Sequence, residues 1–307
     1  MMNYNMSLLW FLRSVIVGFY LYRLQKYFFH LNTSIYVLFH FKKPINKIIK
    51  IRNKKYPFIL EKKNGKTIEI KSKIQLSFIL KKMENMFSIE NNLLTIKFDS
   101  KLLKFTNYES MELDIFSQKL YSNISVKNKT VIDVGGGVGD SALLFRTLGA
   151  KKVVMIEPEP AYFESAKQNI ELNKELQNIE IHNLVLSSTI GIYMIDHKQR
   201  GDLGEINESK ENGVPIPKIT IDKFLSNYHE QNFVLKMDCE SCEYDVLLPI
   251  PEDTLRKFEY IFIEFHNGCL NISQRLEKSG FKIKILNSKL TPHKRCRGHL
   301  LATRNKL

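Results

Sequence analysis

The first sixty residues contain no aspartate or glutamate; the first acid in the chain is Glu61. The same stretch carries Arg13, Arg23, Lys26, Lys42, Lys43, Lys47, Lys50, Arg52, Lys54 and Lys55, so most of the formal charge of +14 is N-terminal. Positive charge without opposing acid attracts anionic lipid, nucleic acid or an acidic glycan. Cysteine is also scarce, with Cys239, Cys242, Cys269 and Cys296 as the whole complement of 307 residues. That is too few for a disulfide scaffold and points to a reducing, cytoplasmic compartment. Cys239 and Cys242 have C-x-x-C spacing, yet no second pair and no H-x-x-x-H completes a zinc set. They are expected as two small side chains at a strand end and the following turn. Long apolar runs are missing as well. The clean run Ser14 to Tyr22 is too short to span a bilayer, and no small-x-small cleavage site follows it.

What the N-terminus does have is an aromatic and aliphatic pattern over Met1 to Phe41, interrupted by Arg13, Arg23 and Lys26. It reads as an amphipathic helix. Two settings share that pattern. The helix either lies peripherally on an anionic membrane surface, helped by "KKPINKIIKIRNKK", or packs on the rest of the protein with its lysines solvated.

From Tyr56 the periodicity changes. "FILEKKNGKTIEI" has two alternating runs about Asn64-Gly65, a hairpin signal, and "NNLLTIKF" with "KLLKFTN" reads as a second strand pair. Glu109 to Tyr121 reads as a helix. After Thr130 strands and helices alternate: "TVIDVG", a helix from Asp140, "KKVVMIEP", a helix over Ala161 to Asn173, then "IEIHNLVL". Ser187 to Pro217 is polar and loop-like, with a hairpin about "GIYMID". A short helix over Ile221 to Tyr228, "FVLKMD", "YIFIEF", a helix over Ile272 to Ser279, and a final pair "FKIKIL" and "HLLATR" complete the chain. The pattern predicts an α/β domain with a doubly wound, mostly parallel sheet over residues 129–307. An antiparallel lead-in with a helix precedes it at 56–128, and a basic helical region at 1–55. Ligands of such sheets sit outside the carboxyl ends of the strands.

"VIDVGGGVGD" stands at the first of those ends. The dinucleotide fingerprint G-x-G-x-x-G requires its third glycine where Asp140 stands, and no G-K-[ST] follows, so neither a dinucleotide loop nor a P-loop is present. A carboxylate at the opening turn of the helix is a poor neighbour for pyrophosphate. S-adenosylmethionine, which has no phosphate and carries an ammonium and a sulfonium, suits the loop better. Close approach of backbone to ligand accounts for the glycines. Glu157, ending the second strand, is placed to accept from ribose hydroxyls; an acid there serves NAD equally well, so the choice rests on the loop. The cofactor set is Asp133, Gly135, Gly136, Gly137, Gly139, Asp140, Glu157, Pro158 and Asn183.

"TVIDVGGGVGDSALLFRTLGAKKVVMIEPEPAYFESAKQNIELN" resembles the opening of the FkbM-type methyltransferases. Their downstream block typically reads K-I-D-V-E-G-A-E-x-x-V-L. "LKMDCESCEYDVLL" is similar to it through Lys236, Asp238, Glu240, Glu243 and Leu247. "ITIDKFL" and "FEYIFIEFH" also resemble family blocks, and the likeness runs from about Glu109 to Phe281. The departure is Ser241, where the family usually has glycine; Cys242 takes the small-residue place. The resemblance implies a seven-stranded class I methyltransferase fold, S-adenosylmethionine as cofactor, and transfer to oxygen of a sugar or another hydroxylated small molecule.

For that chemistry Asp238 is the first candidate as base or acceptor anchor, followed by Glu240 and His266. Lys236 shares a strand face with Asp238 by the two-residue period. It either holds a carboxylate in place or binds an anionic substrate. Asp238, Glu240 and Glu264 are also weighed as holders of a divalent cation such as Mg²⁺, but no metal is assigned. Partner readings are a small-molecule, glycan or glycolipid acceptor, peripheral contact of residues 1–55 with anionic membrane, RNA held by the basic region, or a non-catalytic binding protein that keeps the fold.

Overall fold

The structure is a computed structural model; it describes residues 48–52, 58–62, 67–70 and 86–304, apart from 109, 112, 118–119, 122, 196–212 and 292–294. The helix expected over Met1 to Phe41 lies outside the described residues. The chain forms two compact units, 1–85 and 86–307. This division falls inside the expected lead-in.

In the first unit, strands β1 (Ile48–Arg52), β2 (Phe58–Lys62) and β3 (Thr67–Ile70) form an antiparallel sheet in that order. The β2–β3 register pairs Glu61 with Thr67, with Asn64-Gly65 between them as expected.

The second unit opens with an antiparallel meander of β4 (Phe87–Glu90), β5 (Leu93–Phe98) and β6 (Lys101–Phe105). Asn91 and Asn92, at φ 49 and 61, make a two-residue turn between β4 and β5. Positive φ at both turn positions matches the twist of the flanking strands, and asparagine tolerates it. The helix expected over Glu109 to Tyr121 shrinks to a 3-10 turn, Leu113–Ser117. Met111, Leu113, Ile115 and Phe116 are all buried here. Phe116 is buried edge-on against Phe98 and Phe105, which fixes the turn to the meander.

The main sheet uses β7 (Thr130–Val134), β8 (Lys152–Ile156), β9 (Ile179–His182), β13 (Phe233–Met237), β14 (Phe258–Phe265), β15 (Phe281–Leu290) and β16 (Cys296–Arg304). Its order is β15-β16-β14-β13-β7-β8-β9, and only β16 runs antiparallel to its neighbours. The expected seven-stranded, mostly parallel, doubly wound sheet is therefore present. Strand order reverses between β7 and β13, which opens a crevice at their carboxyl ends. Helices α1 (Asp140–Thr147), α2 (Pro160–Glu171), α3 (Ile221–Leu225), α4 (Cys242–Leu247), α5 (Glu252–Leu255) and α6 (Leu270–Lys278) complete the second unit.

β7 and β13 are buried at every position, as central parallel strands covered on both faces must be. Each fully buried aliphatic side chain there, such as Ile132 or Leu235, contributes roughly 1.5–3 kcal/mol. The charged exceptions, Asp133 and Lys236, are register partners across the two strands. Each neutralises what would otherwise be the other's cost.

"IEIHNLVL" is not one strand. It divides at Asn183-Leu184 into β9 and β10 (Val185–Leu186). β10 joins a small sheet with β12 (Val214–Ile219) and β11 (Gly191–Ile195), in the order β10-β12-β11. β11 is the strand expected about "GIYMID", and its antiparallel partner β12 falls at the end of the stretch read as loop. Pro215 and Pro217 hid β12, since proline argues against a strand that is paired on both sides. Both lie opposite β11 alone, while β10 pairs only with Lys218 and Ile219.

Candidate functional site

β7 delivers the chain into Gly135–Gly139, and Gly139 at φ 86 caps α1. Two of these glycines are forced by space. A Cβ on Gly135 would lie 1.7 Å from the Asp238 carbonyl oxygen, and one on Gly136 would lie 2.4 Å from the Met155 side chain. Gly137 differs: its φ is +53, but a Cβ would meet nothing within 4 Å, so the loop is open on that side.

Glu157 sits against the open glycine. Its Oε2 accepts from the Gly137 N–H at 2.8 Å and its Oε1 from the Glu159 N–H at 2.9 Å. Burial raises its pKa to about 7, against the opposing pull of those two N–H donors and Lys236. Asn183 donates to the carbonyls of Glu157 and Pro158, both at 2.9 Å, and so holds the segment that carries the acid. Asp140 is buried in the opening turn of α1.

Beneath the loop lies the Asp133–Lys236 pair, 3.1 Å apart and at most 3% exposed. Asp133 also accepts from the Ser141 hydroxyl at 2.6 Å, and Lys236 donates to the Gly135 carbonyl at 2.7 Å. The ammonium thus grips the loop from below. Of the two expectations for Lys236, this geometry matches the one in which it holds a carboxylate in place: it is buried, paired with Asp133 and faces backbone.

One residue that sequence reasoning missed holds the loop from the side. Asn169 of α2 donates to the Val138 carbonyl at 2.9 Å and the Asn107 carbonyl at 3.0 Å, and accepts from the Thr106 N–H at 3.0 Å. Asn173, just past the helix, accepts from the Lys104 N–H and donates to the Lys104 carbonyl. The available signal was an asparagine within a helical stretch, where it is unfavourable unless something demands it.

The second half of the site stands at the ends of β13 and β14, adjacent parallel strands. Asp238, Glu264 and His266 bring ligating atoms within 4.8 Å of one another. The set that converges therefore has His266 in place of the Glu240 that stands beside Asp238 and Glu264 in the cluster weighed from sequence, to which no metal is assigned. Burial raises the Asp238 pKa to about 6; Lys236 and His266 oppose the rise, and Glu264 and Glu240 add to it. Glu264 pairs with His299 at 3.3 Å and is held below the usual carboxylate range despite burial.

His266 has no exposed surface. Its Nδ1 faces Glu243 at 3.1 Å, its Nε2 faces Glu240 at 3.3 Å, and its backbone N–H donates to Glu243 at 3.0 Å. Burial alone would lower its pKa, but the two carboxylates outweigh it and carry the value to about 10. With both ring nitrogens facing carboxylates, His266 ties Glu240 to Glu243. Arg297 reaches Glu240 from β16 at 3.1 Å.

The turn between Asp238 and α4 holds a correction. Cys239 and Cys242 are not separate small side chains; they are joined as a disulfide. Between them Glu240 and Ser241 both adopt left-handed backbone, at φ 50 and 93. Glycine suits φ 93, so the departure at Ser241 falls where a side chain is costly.

Residues 133–283 match the family profile of the methyltransferase FkbM domain. Residues 133–283 are thus an FkbM methyltransferase domain. Its cofactor is S-adenosylmethionine. The chain is 33% identical to ribosomal protein L11 methyltransferase of Clostridium botulinum (strain Eklund 17B / Type B) over 111 residues, which are 36% of this chain and 34% of that protein. The chain thus spans about a third or less of the length of the curated relatives it matches. Among solved structures it is similar to precorrin-6y C5,15-methyltransferase from Geobacter metallireducens GS-15 (10% identity, TM-score 0.42, 68% of this chain and 97% of that one). It is also similar to ribosomal protein L11 methylase from Lactobacillus delbrueckii subsp. bulgaricus (16% identity, TM-score 0.35, 60% and 75%).

Proposed function

We propose that this protein is an S-adenosylmethionine-dependent methyltransferase that methylates a hydroxyl oxygen, with a sugar or glycolipid as acceptor. The observation that carries the reading is the pairing of two ends of one sheet: a glycine loop edged by a carboxylate, and beside it a partly exposed Asp238 with a raised pKa.

The loop suits the cofactor by its donor set. It is open at Gly137 and edged by Glu157, while the nearest ammonium, on Lys236, is turned beneath it. A surface with a carboxylate and no cation favours ribose hydroxyls and an ammonium over a phosphate. Gly135, Gly136, Gly137, Gly139, Glu157 and Pro158 would contact the cofactor. Asp133, Asp140 and Asn183 support the loop and its flanks. S-adenosylmethionine supplies a methyl group already activated on a sulfonium. The remaining work is alignment of an acceptor oxygen and removal of its proton.

Asp238 takes that proton. With a pKa near 6 it is ionised at neutral pH yet basic enough to accept. Glu240, fixed by His266 and Arg297, orients the acceptor through a hydroxyl, and Glu264, fixed by His299, borders the same space. Lys236 acts through the loop as a positioning residue.

The test has two parts. Glu157→Ala should weaken S-adenosylhomocysteine binding at least tenfold in calorimetry; undiminished binding refutes the cofactor site. Incubation with labelled methyl donor and fractionated extract should place label in glycan or lipid. Label in RNA would instead favour the basic N-terminal region as a nucleic-acid surface, consistent with ten Lys/Arg and no acid in residues 1–60.

A further inference from the structure

The C-x-x-C pair has no part in the methyl-transfer reading, yet it closes the turn that bears Glu240. The FkbM block typically has valine and alanine at these two positions, so the pair belongs to this chain. Both cysteines are partly exposed, so a small thiol can reach them. The turn also backs the cofactor loop. The Asp238 carbonyl and Cys239 Cα occupy the space where a side chain on Gly135 would lie, and the Asp238 N–H donates to the Val134 carbonyl at 3.1 Å. Its own closing hydrogen bond, Cys242 N–H to Cys239 carbonyl, is long at 3.4 Å. Two non-glycine residues in left-handed backbone strain the same four residues. The disulfide closes that turn, alongside the contacts of Glu240 with His266 and Arg297.

We propose that Cys239 and Cys242 form a reversible thiol–disulfide modification site whose redox partner is a low-molecular-weight disulfide or dithiol. Oxidation fixes the turn against the cofactor loop, and reduction releases it. In the oxidising direction the Cys239 thiolate attacks one sulfur of the small disulfide, forming a mixed disulfide and expelling one thiolate. The Cys242 thiolate then attacks the Cys239 sulfur and expels the second. The cysteine pair loses two electrons, the small disulfide gains them, and the two cysteine protons end on the released thiols. Such pairs in a reducing compartment are sensing or regulatory rather than scaffolding. The link to the cofactor loop rests on the methyltransferase reading; the thiol site does not.

The full chain is treated with oxidised glutathione or with dithiothreitol under native conditions, freed of reagent, and alkylated for mass spectrometry. Cys269 and Cys296, which are free thiols, should be labelled in both samples and serve as internal controls. Cys239 and Cys242 should be labelled only after dithiothreitol. Labelling in both samples, or in neither, overturns the site. S-adenosylhomocysteine titration then reads the link: the reduced form should bind about tenfold more weakly, the equivalent of about one left-handed residue. Ser241→Gly, which removes that strain, should bring the two forms within about twofold. Equal affinity of the wild-type forms overturns the link. Absence of binding in both forms refutes the cofactor reading instead, and the alkylation result still decides the thiol site.

Discussion

The two halves of the site are held by opposite means. On the cofactor side the loop is fixed through backbone: Lys236 on the Gly135 carbonyl, Asn169 on the Val138 carbonyl, Glu157 on the Gly137 N–H. Its sharp conformation falls on glycines, which adopt it freely. On the acceptor side the turn is fixed through side-chain charge, by Glu240 between His266 and Arg297, and by a disulfide, and its left-handed backbone falls on Glu240 and Ser241. The first arrangement is non-covalent throughout. The second adds a covalent bond that can exchange, and so can respond to redox conditions.

The largest test of this contrast is Lys236→Met. It leaves Asp133 buried with only the Ser141 hydroxyl, and should cost about 3–5 kcal/mol in denaturant unfolding and abolish S-adenosylhomocysteine binding. Adding Asp133→Asn should recover part of the loss. If the single variant is as stable as wild type, the loop is not held from below. Next comes the pair Gly135→Ala and Gly137→Ala. The first meets a carbonyl oxygen and should cost about 3 kcal/mol, from overlap that forces backbone to move plus strain. The second, in open space, should cost only about 1 kcal/mol, from its positive φ. Equal penalties would mean that the close approach to Asp238 does not matter.

The same contrast sets what could be read in the chain. The sheet was legible because strands and helices alternate along the chain, and the loop because three glycines at positive φ fall within five residues. The acceptor side was not. His266 reads as a candidate base, and its two carboxylate neighbours arrive from α4 and the turn before it. Neither linear spacing nor composition reports a pairing made across three elements. The disulfide was missed for a related reason. C-x-x-C spacing permits a bridge, but only the left-handed turn at 240–241 brings the two sulfurs together.

Asp238→Asn should break only the acceptor half. Turnover should fall about 100-fold or more, while S-adenosylhomocysteine affinity stays within twofold. In the wild type, kcat/KM should rise with pH through about 6 and level off, because Asp238 must lose its proton to act. A profile flat from pH 5 to 8 would remove Asp238 as the base. His266 gives a stability counterpart of opposite sign. Its folded pKa is raised from 6.5 to about 10, so its contribution is complete below pH 6.5 and is lost as pH climbs through 10. Thermal unfolding should therefore weaken over that window, by on the order of 2 kcal/mol, and His266→Gln should flatten the slope.

The smallest effect is the sharpest comparison, because it gives the acceptor turn what the cofactor loop already has. Ser241 stands at φ 93, where a Cβ costs about 1–2 kcal/mol and glycine none. Against the gain stand the greater chain freedom of glycine when unfolded, about 0.5–1 kcal/mol, and loss of the 3.3 Å contact from the Asn267 amide to the Ser241 hydroxyl. That contact is exposed, so its loss is minor. Ser241→Gly should therefore stabilise the oxidised protein by about 0.5–1 kcal/mol, read as a higher midpoint in urea with unchanged slope. After reduction the disulfide no longer holds the turn and the gain should disappear, since a freed Ser241 can leave the left-handed region. A gain of equal size in both redox states would mean that the turn keeps its shape without the covalent bond, and that the two halves of the site are less different than their chemistry implies.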